Sequence, residues 1–123
     1  MKKKIITLAI LTEARIDENR APFSPSQILS LLNKFSNLKV IVQPSKRRCF
    51  KDEDYLKTGA QITDNLSSAD IIFGVKEVDI LTLIKNKTYL FFSHLQRPLY
   101  FSIISSYYIL RISLLNFEYK ILE

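Results

Sequence analysis

Glycine is almost missing from this chain: among 123 residues only Gly59 and Gly74 are glycine, and they stand far apart. A dinucleotide-binding turn needs glycines close together, for the tight turn itself and for backbone approach to a pyrophosphate. Without that fingerprint the chain is not expected to hold a nicotinamide dinucleotide tightly by itself. Cysteine is scarcer still. Cys49 alone excludes an internal disulfide framework and fits a reducing compartment, read as the cytoplasm. Its plain reading is a small, half-buried side chain. His94 is the only histidine, and with no second histidine or cysteine a metal centre of the usual kind has no ligands. A long uninterrupted apolar run is also lacking. Residues 95–115 are rich in apolar side chains, but Gln96 and Arg97 open the stretch, four serines dot it and Arg111 interrupts it. A membrane span needs about 20 consecutive apolar residues. A helix over 98–110 followed by a strand over 112–117 is the more economical reading, and a membrane partner is not expected.

What remains is the composition of an ordinary globular domain, 47% hydrophobic and 24% charged. The length suits one domain with a real core. The net charge of +6 comes partly from Lys2, Lys3 and Lys4 and partly from Lys46, Arg47 and Arg48. These clusters are short, and Asp52, Glu53 and Asp54 follow the second closely, so the stripe of a nucleic-acid binder is not there. MKKKIITLAIL opens like a secretory signal, but its apolar run is short and breaks into Glu13, Arg15 and Asp17 without a small-residue cleavage site. It reads as a first strand.

In chain order, residues 5–11 form a continuous apolar run, as expected of a strand covered on both faces. The polar loop 12–23 carries Arg15 and Arg20. Ser24-Pro25-Ser26-Gln27 reads as a helix start, with Ser24 as N-cap, Pro25 at the first helical position and Gln27 completing a capping box. Ile28, Leu31, Leu32 and Phe35 follow at helical spacing. A second strand spans 38–43, then a basic turn, a short acidic-started helix over 52–58 stopped at Gly59, and a small strand over 61–63. A helical turn over 64–69 leads to strands at 70–75 and 88–92, with a short helix or turn at 78–84 between them. This alternation predicts an α/β fold, a Rossmann-like three-layer domain with a mostly parallel sheet.

Two strands end in residues with usable chemistry. If 70–75 and 88–92 are parallel neighbours, Lys76 and His94 emerge at the same carboxyl-end edge, where ligands bind in open α/β sheets. Desolvation of a lysine at such a place favours the neutral amine that a general base needs. Histidine is the default proton shuttle near neutral pH. Arg20, in the loop after the first strand, suits bidentate binding of a carboxylate; Arg15 is a weaker candidate of the same kind. The bland readings are a surface lysine paired with Glu77, a structural histidine and solvated loop arginines. The triplet Lys46-Arg47-Arg48 reads as a solvated turn that at most flanks an anionic substrate.

NRAPFSP (19–25), VQPSKRRCFKDEDYLKTGA (42–60), SADIIFGVKEV (68–78) and KTYLFFSH (87–94) together resemble the N-terminal domain of the alanine dehydrogenase and pyridine nucleotide transhydrogenase superfamily. The basic turn, the DEDY segment and the FFSH ending are most similar to saccharopine dehydrogenases and to the lysine-ketoglutarate reductase half of the bifunctional lysine-degradation enzyme. The resemblance implies an NAD- or NADP-linked oxidoreductase acting on an amino acid or its imine adduct. It implies that Arg20 holds a substrate carboxylate, that Lys76 is an acid/base and that His94 is a second one. Residues 95–106 depart from the family pattern, and likeness resumes at 112–119; a disrupted reading frame and divergence both fit. The expectation is therefore a substrate domain over 1–94, a divergent continuation of it over 95–123, and no cofactor-binding domain, so that the chain is incomplete and inactive alone. The competing expectation is a non-catalytic module that keeps the fold and binds an amino or oxo acid.

Overall fold

The computed structural model describes residues 3–76 and 78–91. Its elements are β1 (Ile6–Ile10), α1 (Pro25–Lys34), β2 (Leu38–Val42), α2 (Asp52–Leu56), β3 (Gln61–Ile62), β4 (Ile71–Phe73), a 3-10 turn (Ile80–Thr82) and β5 (Thr88–Leu90). The strands form one sheet in the order β3-β2-β1-β4-β5, and every pairing is parallel. The α/β Rossmann-like expectation holds, with its strands in the expected places. The helix and strand read over 98–117 lie outside the described residues, as does His94. Among the described residues no helix is long and apolar enough to cross a membrane.

Side chains alternate across a strand, so β1 feeds two cores at once. Leu8 and Ile10 point to one face, where they meet Ile28 of α1, Val40 and Val42 of β2, and Tyr55 of α2. Ala9 and Leu11 point to the other, packing with Ile41, Ile72, Tyr89, Leu66 and Phe91. The first face carries both helices. Among the described residues the second is covered by the segment around Leu66 and Ala69 and by Val78, Leu83 and Ile84 near the 3-10 turn.

α1 begins as its sequence dictates. The Gln27 main-chain N–H donates to Ser24 Oγ at 3.2 Å and the Ser24 N–H donates to Gln27 Oε1 at 2.8 Å, the reciprocal pair of a capping box. Ile28 is fully buried, which contributes about 1.5–3 kcal/mol. Phe35, the last apolar residue of the stripe, is the C-cap, its N–H donating to Leu31 O, and the residue is 43% exposed. Gly59 has φ +102°, a left-handed conformation that suits glycine after a helix.

β4 is shorter than its apolar run because its ladder is intercepted. Gly74 N–H still donates to Leu90 O at 2.9 Å. The next two donors, on Val75 and Lys76, turn instead to the carboxylate of Glu13. At the other end Asp70 starts the strand, its Oδ2 accepting from Thr7 N–H at 2.8 Å.

Candidate active site

From β1 the chain crosses over through α1 to β2 on one side, whereas β4 lies on β1's other side. The loops leaving the carboxyl ends of β1 and β4 therefore diverge and open a crevice, the usual ligand position in such sheets. A cleft of about 430 Å³ lies there, lined by Arg20, Ala21, Phe23, Phe73, Gly74 and Val75 among others. Its floor is aromatic, with the rings of Phe23 and Phe73 edge-on at 4.9 Å.

Two carboxylates organise the rim. Glu13 is 8% exposed and accepts the main-chain N–H groups of Val75 at 2.9 Å and Lys76 at 2.8 Å. Burial pushes its carboxyl up from the ordinary value, against the pull of those two N–H donors. Glu18 is 6% exposed and accepts three bonds from Arg20: from the main-chain N–H at 3.0 Å, Nε at 2.9 Å and Nη2 at 2.6 Å. Arg20's hydrogen bonds, with its charge and that of Lys76, hold the Glu18 carboxyl down at about 2 despite its burial. Arg20 is in turn raised by Glu18. The Glu18 pair occupies the Nε–Nη2 edge of the guanidinium. The Nη1–Nη2 edge is the one a second carboxylate would take, and the side chain is 67% exposed.

Arg20 and the chain segment carrying Lys76 thus border one crevice, with Glu18 electrostatically coupled to both. Lys76 is half-buried. Arg15 instead pairs with Asp17 at 2.9 Å in the exposed loop. The basic turn departs from its sequence reading. Arg48 is not solvated: its side chain is 4% exposed, and Nη2 donates to Gln43 O at 2.9 Å. Arg47 Nη1 and Nη2 donate to Arg15 O at 2.8 Å and Glu13 O at 3.0 Å, bracing the loop that carries Glu13. Both arginines serve main-chain carbonyls, for which the charge run gave no signal. Cys49 is exposed rather than half-buried. In the sequence Glu13 and Glu18 are no more than charges that end an apolar run or fill a loop; the sole hint is an acidic residue close to Arg20 in the same segment.

A larger hollow of about 500 Å³ opens over the opposite face of the sheet, between Thr12, Gln43, Asp64, Asp79 and Tyr89. Arg20 does not border it but lines the smaller cleft, whose wall runs through Val75, the residue before Lys76. Among the described residues no group of three histidine, cysteine or acidic side chains is placed to hold a metal ion. The switch point does not fit a dinucleotide pyrophosphate either. The first helix, α1, starts only at Pro25, well after β1, so no tight strand-to-helix turn presents main-chain N–H groups there, and those of Val75 and Lys76 already face the Glu13 carboxylate.

The Glu18–Arg20 pair has a pH signature. A carboxyl depressed from 4.5 to about 2 on folding adds stability that is complete above the unfolded value and disappears as pH falls through the folded one. Because Arg20 is largely exposed, solvent screening reduces this to about 1 kcal/mol. Glu18→Gln should therefore be less stable than the unaltered chain at pH 6 by about that amount, with the gap closing toward pH 2. Urea midpoints across this range measure it, and a gap independent of pH would refute the assignment.

Among the described residues, a wholly parallel sheet whose connections diverge on either side of β1 defines an open α/β domain. The chain belongs to the alanine dehydrogenase/PNT N-terminal domain family, whose profile matches residues 9–106. It is 40% identical over 77 residues to the mitochondrial alpha-aminoadipic semialdehyde synthase of Bos taurus, covering 63% of this chain and 8% of that protein. It is 33% identical over 81 residues to the alpha-aminoadipic semialdehyde synthase of Arabidopsis thaliana, with the same coverage. Among solved structures it shares its fold with an L-alanine dehydrogenase, at TM-score 0.62 and 22% identity over 72% of this chain and 26% of that one. A transhydrogenase from Sinorhizobium meliloti matches at TM-score 0.56 and 18% identity, over 68% of this chain and 27% of that one. The chain thus spans 8% of the length of its curated relatives. The resemblance carried by the sequence motifs is confirmed.

Proposed function

We propose that this chain is the substrate-side domain of an NAD- or NADP-dependent oxidoreductase of the saccharopine dehydrogenase and lysine-ketoglutarate reductase type, acting at a carbon that bears nitrogen. The observation that supports this reading is the crevice bordered by Arg20 and by Gly74 and Val75, the residues that lead from β4 into Lys76. Arg20 binds a substrate carboxylate through the guanidinium edge that Glu18 leaves open. Lys76 gives or takes the proton at the substrate nitrogen, within the field of the Glu18 carboxylate. His94, at the end of the FFSH motif, supplies the second acid/base group. Residues 1–94 carry these groups and 95–123 continue the same domain; the nucleotide is held by a separate domain. The name of the bovine relative places it in mitochondria, and a lone cysteine separates only reducing from oxidising compartments.

Titration calorimetry of the chain with 2-oxoglutarate, L-lysine, saccharopine and L-alanine tests the proposal. One of the acids should bind, and Lys76→Ala and His94→Ala should each weaken it. Heat from none of the four would overturn the reading. Binding that ignores both substitutions would leave the non-catalytic module in its place.

A further inference from the structure

The proposed chemistry gives Glu13 no task, although this carboxylate is buried at the centre of the switch point. Its two oxygens are divided between consecutive main-chain donors, Oε2 on Val75 and Oε1 on Lys76. These are the first two N–H groups beyond Gly74, where the β4 ladder has ended. Nothing local in the sequence links them: the partners are 62 and 63 residues apart. Approach is this close because position 74 has no side chain. A Cβ there would sit 3.3 Å from Glu13 Oε2 and 3.2 Å from the Leu11 side chain. On its far side Glu13 is braced by Arg47, which donates to its carbonyl oxygen.

We propose that Glu13 is a positioning residue for Lys76, its carboxylate clamping the main chain from which that lysine projects so that the side chain is presented at the crevice. An unclamped strand end would leave Lys76 on a loop with several backbone conformations, and a proton-transfer group must be held close to its target to work. The charged groups that act on Glu13 are Glu18, which opposes its ionisation, and Arg48, which favours it; Glu13's charge in turn acts on Arg20. The clamp rests on the proposed role of Lys76 but is measured independently of it.

The test is a pH titration of the 15N-labelled chain, followed by amide resonances. The Val75 and Lys76 amides should move together with one midpoint, above that of an ordinary glutamate. In Glu13→Gln neither should titrate, and their hydrogen exchange should accelerate by about tenfold or more, while the amides of Ile41 and Ile72 keep their rates. The same variant should bind an oxo diacid such as 2-oxoglutarate about tenfold more weakly, the loss of roughly one charge-assisted contact's worth of order. Gly74→Ala, with Glu13 intact, should reproduce the faster exchange. Amides that do not titrate in the unaltered chain, or that titrate unchanged in Glu13→Gln, overturn the clamp even if the variant proves hard to fold. Faster exchange with unchanged ligand affinity overturns the positioning role. Absence of binding by all of 2-oxoglutarate, L-lysine, saccharopine and L-alanine in the unaltered chain overturns the proposed function instead, and the amide titration still reports on the Glu13 clamp.

Discussion

Arg48→Met should lower the unfolding free energy of the chain by about 3 kcal/mol, the largest effect expected of any change in the basic turn. The guanidinium is 4% exposed and sits 5.5 Å over the Tyr55 ring. It donates to Gln43 O at 2.9 Å, to Asp52 Oδ1 at 3.3 Å and, at the outer limit, to Leu11 O at 3.5 Å. Burial opposes its charge and lowers its pKa, although Tyr55, Asp52 and Glu13 pull the other way. Methionine would relieve the desolvation and retain much of the packed stem. It cannot satisfy the carbonyls at the ends of β1 and β2, and unsatisfied buried acceptors cost about 1–3 kcal/mol each. Asp52 is partly exposed and still accepts from Ser45 N–H, so its loss is the smaller part. Lys46→Met, in the exposed part of the same turn, is the control and should change stability by less than about 0.5 kcal/mol. Urea unfolding with an unchanged m-value measures both. Equal midpoints for the two variants would show that Arg48 is not the pin joining these strand ends.

That result bears on what a sequence can disclose. The local signals were legible. Ser24, Pro25 and Gln27 announce α1, Gly59 marks the turn that follows α2 although the helix itself stops earlier, at Leu56, and the unbroken apolar runs of β1 and β2 announce strands with both faces covered. Each of these depends on residues within a few positions of one another. The arrival of Arg20 and Lys76 at one edge was legible for a different reason: each follows a strand, and parallel strands deliver their carboxyl ends to the same side. Glu13, Glu18 and Arg48 were not legible. Glu13 is defined by main-chain donors beyond Gly74, and Arg48 by the carbonyls at the ends of two strands. Backbone groups have no identity in the sequence, so a side chain whose partners are backbone atoms across the fold leaves no periodic trace. The shortened β4 has the same origin, since its apolar run continues through Val75 while its hydrogen bonds do not. Charge runs are read as solvated by default, and here one arginine of a triplet is buried while Lys46 and Arg47 beside it are exposed.

Arg20→Ala should weaken binding of a dicarboxylate such as 2-oxoglutarate by at least about 30-fold, or about 2 kcal/mol. The direct part is the loss of a charge-assisted, two-pronged contact to the ligand carboxylate. A second part is repulsive. Glu18 is 6% exposed and its low pKa owes most to Arg20; without that partner it keeps only the main-chain N–H of position 20 and the distant charge of Lys76. A negative group then stands uncompensated beside an anionic ligand, unless the carboxyl takes up a proton and so moves toward or above its ordinary value. The variant's affinity should consequently recover in part as pH is lowered, because protonated Glu18 no longer repels the ligand. The double variant Arg20→Ala/Glu18→Gln isolates the first part: it should bind more tightly than Arg20→Ala at neutral pH and show little of that pH dependence. Arg20→Lys should fall between, since an ammonium keeps the charge but cannot contact Glu18 and the ligand through two planar edges at once. Calorimetry at pH 5 and pH 7 separates these outcomes. If Arg20→Ala binds the ligand as the unaltered chain does at both pH values, the arginine is only Glu18's structural partner, and the carboxylate of the substrate must be met by a different cation.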